Sequence, residues 1–433
     1  MIFQNSSFVL TGGHVIDPKN NIDKKCDILV ENGIIIEIGD INVKNSNSDI
    51  KKIDVSGKYI FPGLIDLQVH LREPGREDKE TIETGLKSAL CGGITSVVSM
   101  PNTTPVTDSQ ATVEFQIARA EKLNLGNLYP AGAITKGQKG KEISEMWEMK
   151  NSGIVAITDD GVDVQDEGIL EKAMEYAKTH DLVLMSHCQN EALSAGGVLH
   201  EGEVSTKLAL PGISPQAEDL AVYKNLVLAE KTGCKLHLLH NSTKESVNLI
   251  KQFKARGVNV SAETCPQYLT LTDAVCDNYN TQGKMYPPIR SQEHQDALIE
   301  GLKENTISVI STDHAPHLWF EKEKPFMESV WGSVGVECSF ALCYTRLVKT
   351  GELSLSDLLA KMTFQPADVI SVKRGDLSVG SVADIAVFDL EKEWEIKVDE
   401  MQTKGGNCVF EGMKVFGKPT HVFVAGDEKL AKI

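Results

Sequence analysis

The sequence is short of most features that announce a function directly. No uncharged apolar stretch approaches the roughly 18 residues needed to cross a bilayer. The opening residues, Met1 to Phe8, lack the basic-then-apolar pattern of a secretory leader. Nine cysteines are scattered without a Cys-x-x-Cys pair, which argues against a disulfide framework and against a cysteine zinc site. No internal repeat or low-complexity linker interrupts the chain. Basic residues are the minority: 44 Lys and Arg against 61 Asp and Glu leave a net charge of −17. Such a surface suits neither nucleic acid nor an anionic membrane, because phosphate binding runs on clustered cations. A reduced, cytoplasmic protein is expected, with a small-molecule substrate. The rest is ordinary globular composition, 41% hydrophobic and 24% charged over 433 residues.

The middle of the chain alternates short apolar, β-branched runs with helical patterns. The runs are 64–71, 94–100, 128–135, 154–159, 182–187, 236–240, 258–264 and 307–313. Continuous apolar runs mark strands buried on both faces, as in a parallel sheet. Between them, 214–232 and 242–256 have 3.6-residue periodicity. The first sets Pro215 near its start and Gly233 past its end; the second opens on a Ser242–Glu245 capping box. Eight strand–helix units predict a (β/α)8 barrel over 61–370. The ends read as period-2 strands with turn signals, so 1–60 and 371–433 are expected to form one small β-rich accessory domain.

Catalytic groups of such barrels sit where the strands end. Here those ends are rich in metal-type ligands: Gln68 and His70, Asp159 and Asp160, His187, His240, and Asp313. A single strand-end histidine is most often structural. Three of them, with carboxylates at two further ends, point to zinc or a similar divalent ion. His237 precedes His240 by three residues and should face the other way. Cys188, beside His187, should pack outward. Arg72 lies two residues past His70, where a guanidinium can grip a carboxylate bidentately, and Asn102 can donate to the same group. The segment 317–324 mixes exposed aromatics with charges and is expected to act as a mobile lid.

Taken together, Phe61-Pro-Gly-Leu-Ile-Asp66, His70-Leu-Arg-Glu-Pro-Gly75, Gly92-Gly-Ile-Thr-Ser96, Met100-Pro-Asn-Thr103, Thr158-Asp-Asp-Gly161, Asp313-His-Ala-Pro-His317, Gly335-Val-Glu337 and Ala383-Asp384 resemble the amidohydrolase superfamily. Within it they resemble the type I dihydroorotases, nearly end to end. The resemblance implies a metal-dependent cyclic amide hydrolase interconverting dihydroorotate and N-carbamoyl-L-aspartate in pyrimidine synthesis. It implies one or two Zn2+ per chain, one held by His70 and Asp313 with Gln68, the other by His187 and His240, with Asp159 bridging. Asp313 would also shuttle the proton. Arg72, Asn102 and His317 match the family's contacts to the substrate carboxylate. A homodimer is expected, and aspartate transcarbamoylase is the partner enzyme to consider.

Two positions depart from the family pattern. Gln68 stands where a histidine is usual, and a neutral amide oxygen is the weaker zinc ligand. Tyr286 replaces an asparagine expected to line the substrate pocket. Allantoinases and dihydropyrimidinases share the barrel but bridge their metals with a carboxylated lysine on strand four, and 154–160 contains no lysine. A non-catalytic scaffold for aspartate transcarbamoylase is the reading from another class; with five of six ligands kept, catalysis is the stronger expectation.

Overall fold

The apolar runs do become parallel strands. The computed structural model describes residues 7–41 and 50–433; residues 1–6, on which the expectation of no leader rests, lie outside the described residues. The strands are β1 (Leu64–Val69), β2 (Ile94–Ser99), β3 (Asn127–Gly132), β4 (Ala156–Thr158), β5 (Val183–Ser186), β6 (Lys235–Leu238), β7 (Val260–Thr264) and β8 (Val309–Ile310). They pair in sequence order, every neighbour parallel. A parallel bridge between Val69 and His314 closes the ring, with the His70 N–H donating to the His314 carbonyl at 2.9 Å. The eightfold barrel is thus confirmed.

Helices cover the barrel through their apolar stripes. Gln216–Thr232 buries Ala221, Val222, Leu226 and Ala229, and Lys244–Ala255 buries Val247, Ile250 and Phe253. All of these except Val247 pack with Leu184, Leu236, Leu238 and Ala262 of the strands in one apolar cluster. Gly233 ends the first helix at φ +72°, a conformation that favours glycine. The second helix is capped one residue later than expected. Thr243 accepts from Ser246 N, while Ser242 turns away to the buried Glu218 carboxylate. All nine cysteines are free, and Cys188 is buried, with burial pushing its thiol up.

Both ends of the chain build the accessory unit. A six-stranded sheet runs Asp427–Glu428, Lys414–Val424, Ile385–Glu395, Tyr59–Pro62, His14–Asp17, Ile22–Lys25. A four-stranded sheet of Ile34–Gly39, Asp27–Glu31, Phe8–Thr11 and Lys51–Asp54 packs on it through Leu10, Ile28, Ile60, Ile385 and Phe423. Strand Tyr59–Pro62 runs across the expected 60/61 boundary and leads straight into β1. Aromatic packing joins unit to barrel: the Phe388 ring lies 5.4 Å from that of Phe61 and 4.4 Å from that of Phe340. Gly93 sits below with φ +82°, where a Cβ would come within 2.4 Å of the Phe388 ring. Phe388→Ala should therefore cost about 3–5 kcal/mol, read as a lower midpoint in urea unfolding. Metal binding should survive below the transition, because Phe388 is remote from the strand ends that carry ligand-type side chains.

Candidate metal and substrate site

The site forms because several strands deliver polar residues to one end of the ring. Asp66 and Gln68 on β1 alternate with one another, and His70 follows just past its end. Asp66 accepts from Gln68 N at 3.1 Å and from Thr312 N and Oγ1 at 3.1 and 2.6 Å, tying the end of β1 to the residues after β8. Burial raises the Asp66 carboxyl to about 7. Glu263 on β7 does similar work, accepting from Ser311 Oγ at 2.7 Å and lying 3.0 Å from His237 Nε2. His237 is thus occupied outside the ligand cluster. Three residues at the mouth hold left-handed backbones despite their side chains: Arg72 at φ +60°, His240 at +33° and Asp313 at +51°. Strain of this kind collects where the surroundings over-determine a functional geometry.

Asp160 occupies the centre. Its Oδ1 lies 3.3 Å from His187 Nδ1 and 3.3 Å from His240 Nε2. Its Oδ2 lies 3.3 Å from His70 Nε2 and accepts from Gln68 Nε2 at 3.0 Å. His70 Nε2 is also 3.0 Å from Asp313 Oδ1, and His187 Nδ1 is 2.7 Å from His240 Nε2. Asp159, expected to bridge, does not reach this cluster. Its carboxylate is spent on the loop after β3, accepting from Ile134 N at 2.8 Å and from Thr135 N and Oγ1 at 3.1 and 2.5 Å. The shared carboxylate is Asp160.

Burial would raise the Asp160 carboxyl, yet hydrogen bonds from His187 and His240 and the His70 charge hold it well below the usual range. Burial opposes a charge on His240, but Asp160, Asp313 and Glu263 together lift it to about 9; burial pushes His187 down. Two acceptor-type atoms, Gln68 Oε1 and His187 Nε2, are buried with no hydrogen-bond partner among the described residues. Two groups, Asp160–His187–His240 and His70–Asp160–Asp313, each bring three ligand atoms within 4.8 Å of one another. Converging nitrogen and carboxylate donors of this sort fit a divalent metal centre with Asp160 common to both halves.

The expected substrate residues surround it, with differing duties. Asn102 Oδ1 lies 2.9 Å from His70 Nδ1, so its oxygen orients a ligand imidazole and only its amide nitrogen remains for a substrate. Arg72 donates from Nε to the Pro316 carbonyl at 3.3 Å, and its Nη2 is 3.5 Å from His317 Nε2. Burial lowers the Arg72 guanidinium only to about 10, so it stays charged. Tyr286 stacks on His187 at 5.3 Å between centroids, with its hydroxyl 3.3 Å from Ser194 Oγ and Trp331 at 5.1 Å beyond. The segment expected to move as a lid holds a short helix, Trp319–Lys322. Trp319 and Phe320 are exposed, while the buried Lys322 donates to the Thr281 and Lys284 carbonyls at 3.1 and 3.0 Å. His317 N donates to Asn407 at 2.7 Å. The motif at Gly335-Val-Glu337 stands apart: Glu337 accepts from Ser88 Oγ at 2.9 Å and Gln402 N at 3.0 Å.

Sequence reasoning passed over Asp160's central place, and it missed Lys79, whose buried ammonium donates to His317 Nδ1 at 2.9 Å. No periodicity could have found Lys79, because its partner comes from the opposite side of the barrel closure. The two neighbouring aspartates give a direct experiment. Asp160→Asn should strip metal from both halves of the centre, whereas Asp159→Asn should retain metal and lose only stability. Elemental analysis of the two purified variants checks this.

A family model described as dihydro-orotase-like matches residues 57–246. The dihydroorotase of Ruminiclostridium cellulolyticum is 43% identical over 424 residues, covering 98% of both chains. That of Acetivibrio thermocellus is 45% identical over 419 residues, 97% of this chain and 98% of its own. Among solved structures, the L-hydantoinase (dihydropyrimidinase) from Arthrobacter aurescens superposes with a TM-score of 0.87 at 26% identity, covering 98% of this chain and 96% of that one. The dihydropyrimidinase from Brevibacillus agri superposes at 0.82 with 23% identity, covering 98% and 94%, which speaks for the fold alone. With more than two-fifths identity across essentially the whole of both chains, this chain belongs to the dihydroorotase family of the amidohydrolase superfamily.

Proposed function

We propose that the protein is a metal-dependent dihydroorotase, opening the cyclic amide of (S)-dihydroorotate to N-carbamoyl-L-aspartate and closing it again in pyrimidine synthesis. The observation that carries the reading is Asp160: a built-in carboxylate stands where the hydantoinase-type relatives expected above would need a modified lysine, and β4, Ala156–Thr158, offers no lysine. A hydantoinase activity is therefore the weaker reading, although the fold neighbours bear that name.

His70, Asp313 and Asp160, with Gln68, would hold one divalent ion, and His187, His240 and Asp160 the other, zinc being the ion these donors suit. Such ions supply a Lewis acid for the ring carbonyl and acidify water near neutral pH. The chain's residues do the rest. Arg72 and His317 face the mouth together and can hold the substrate carboxylate. Asp313 uses Oδ1 toward His70; its other oxygen has no hydrogen bond among the described residues and can take a proton from the attacking water. The same oxygen then hands it to the leaving ring nitrogen. Tyr286, flat on His187, closes one wall against water. No helix among the described residues is long and apolar enough to cross a membrane. We place the enzyme in the cytoplasm as a homodimer, with aspartate transcarbamoylase as a candidate partner.

Asp313→Asn should lower turnover in both directions by about a thousandfold, assayed beside metal content so that loss of the proton carrier is separated from loss of the ion. Gln68→His probes the amide ligand. The natural chain should purify with about one to two metals and gain activity on added zinc, since an amide oxygen binds zinc less well than imidazole. The variant should fill the weaker half without a change in substrate preference. Equal resistance of both proteins to chelation would show that Gln68 is no handicap.

A further inference from the structure

Lys79 has no part in the reaction above, yet it is buried against a residue that does. It lies in the loop after β1, 5% exposed, donating to His317 Nδ1 at 2.9 Å and pairing with Glu321 Oε1 at 2.8 Å. An ammonium only donates. His317 Nδ1 must therefore accept, which leaves the ring's single proton on Nε2. The ring is neutral: burial, with Arg72 and Lys79 alongside, pushes His317 down to about 2. Its Nε2 stands 3.5 Å from Arg72 Nη2, another group that only donates. The two N–H groups cannot satisfy each other, and a carboxylate placed between them satisfies both.

We propose that Lys79 is a positioning residue that fixes the tautomer of His317, so that Nε2–H and the Arg72 fork face the substrate carboxylate as paired donors. This rests on the reading of Arg72 and His317 as the groups that hold that carboxylate. Without Lys79, His317 Nδ1 can carry the proton instead and give it to Glu321 Oε2, now 3.6 Å away. Nε2 then becomes an acceptor for Arg72, and the two substrate groups close on one another. Glu321 has a second duty. Burial lowers the Lys79 ammonium, and the Glu321 carboxylate works against that loss. The same contact links the short helix Trp319–Lys322 to the loop after β1, so the tautomer is set only when both loops are in place.

The test is a nitrogen–proton correlation spectrum of the zinc-loaded, full-length protein labelled with 15N-histidine, with His317 assigned through His317→Gln. The natural protein should show the His317 proton on Nε2. Lys79→Met should move it to Nδ1 and raise KM for dihydroorotate and for N-carbamoyl-L-aspartate by about ten- to hundredfold, with kcat within about threefold. Lys79→Arg, which still donates, should restore the tautomer and most of the affinity. A proton on Nδ1 in the natural protein overturns the proposal without any variant, and so does an unchanged KM in Lys79→Met. An Nε2 proton in a protein that turns over no dihydroorotate supports the tautomer assignment and overturns the substrate reading, so the two failures are told apart.

Discussion

The site hangs on one carboxylate shared between two sets of ligands. Asp160 is buried, with one oxygen facing two imidazoles and the other facing a third imidazole and an amide. A buried ion is costly unless geometry and hydrogen bonds compensate it nearly completely. The strand ends β1, β4, β5 and β6 must therefore finish at matching heights, and the residues after β8 must return beside β1. Asp66 secures that return, and the closure at Val69 and His314 fixes it. The left-handed backbones of His240 and Asp313 hold because the ring of strands leaves them no alternative.

A second tension lies between the molecule and its mouth. The chain carries a net charge of −17, yet Arg72, Lys79 and His317 converge on one side of the opening. Overall charge governs solubility and distant encounters, while recognition belongs to the few groups that touch. Arg72 and Lys79 are set into the loop after β1 and the neutral His317 into the loop after β8, the pair of strands whose seam closes the barrel. Recognition of an acid and completion of the fold thus depend on the same join.

The large features were legible because they repeat. Eight apolar runs bounded by turn residues suggested buried parallel strands, and His70, His187, His240 and Asp313 all stood at their ends. Legibility failed where repetition stops. β4 ends at Thr158, so Asp159 and Asp160 both lie in the turn, where alternation no longer says which side chain faces inward. Thr135, from a different loop, decides it by claiming Asp159. Ser242, the cap expected from the sequence, is claimed by the buried Glu218 carboxylate, and Thr243 caps the helix in its place. Asn102 lies beside His70, but its bond to His70 Nδ1 depends on a distance in space that residue order does not encode.

The sheet shared by both ends of the chain carries a cost in time. Strand Tyr59–Pro62 pairs on one side with His14–Asp17, which emerges early from the ribosome, and on the other with Ile385–Glu395, which emerges only after every barrel strand. Throughout that interval one edge of an apolar strand has no partner. An open edge of this kind recruits other strands, from the same polysome or from a neighbour. The barrel can shelter it by packing Phe61 against Phe340 before Phe388 arrives. Order of synthesis thus leaves the accessory sheet as the last part of the molecule to close, and nascent chains lacking residues 385–424 carry the exposed edge most prone to aggregation.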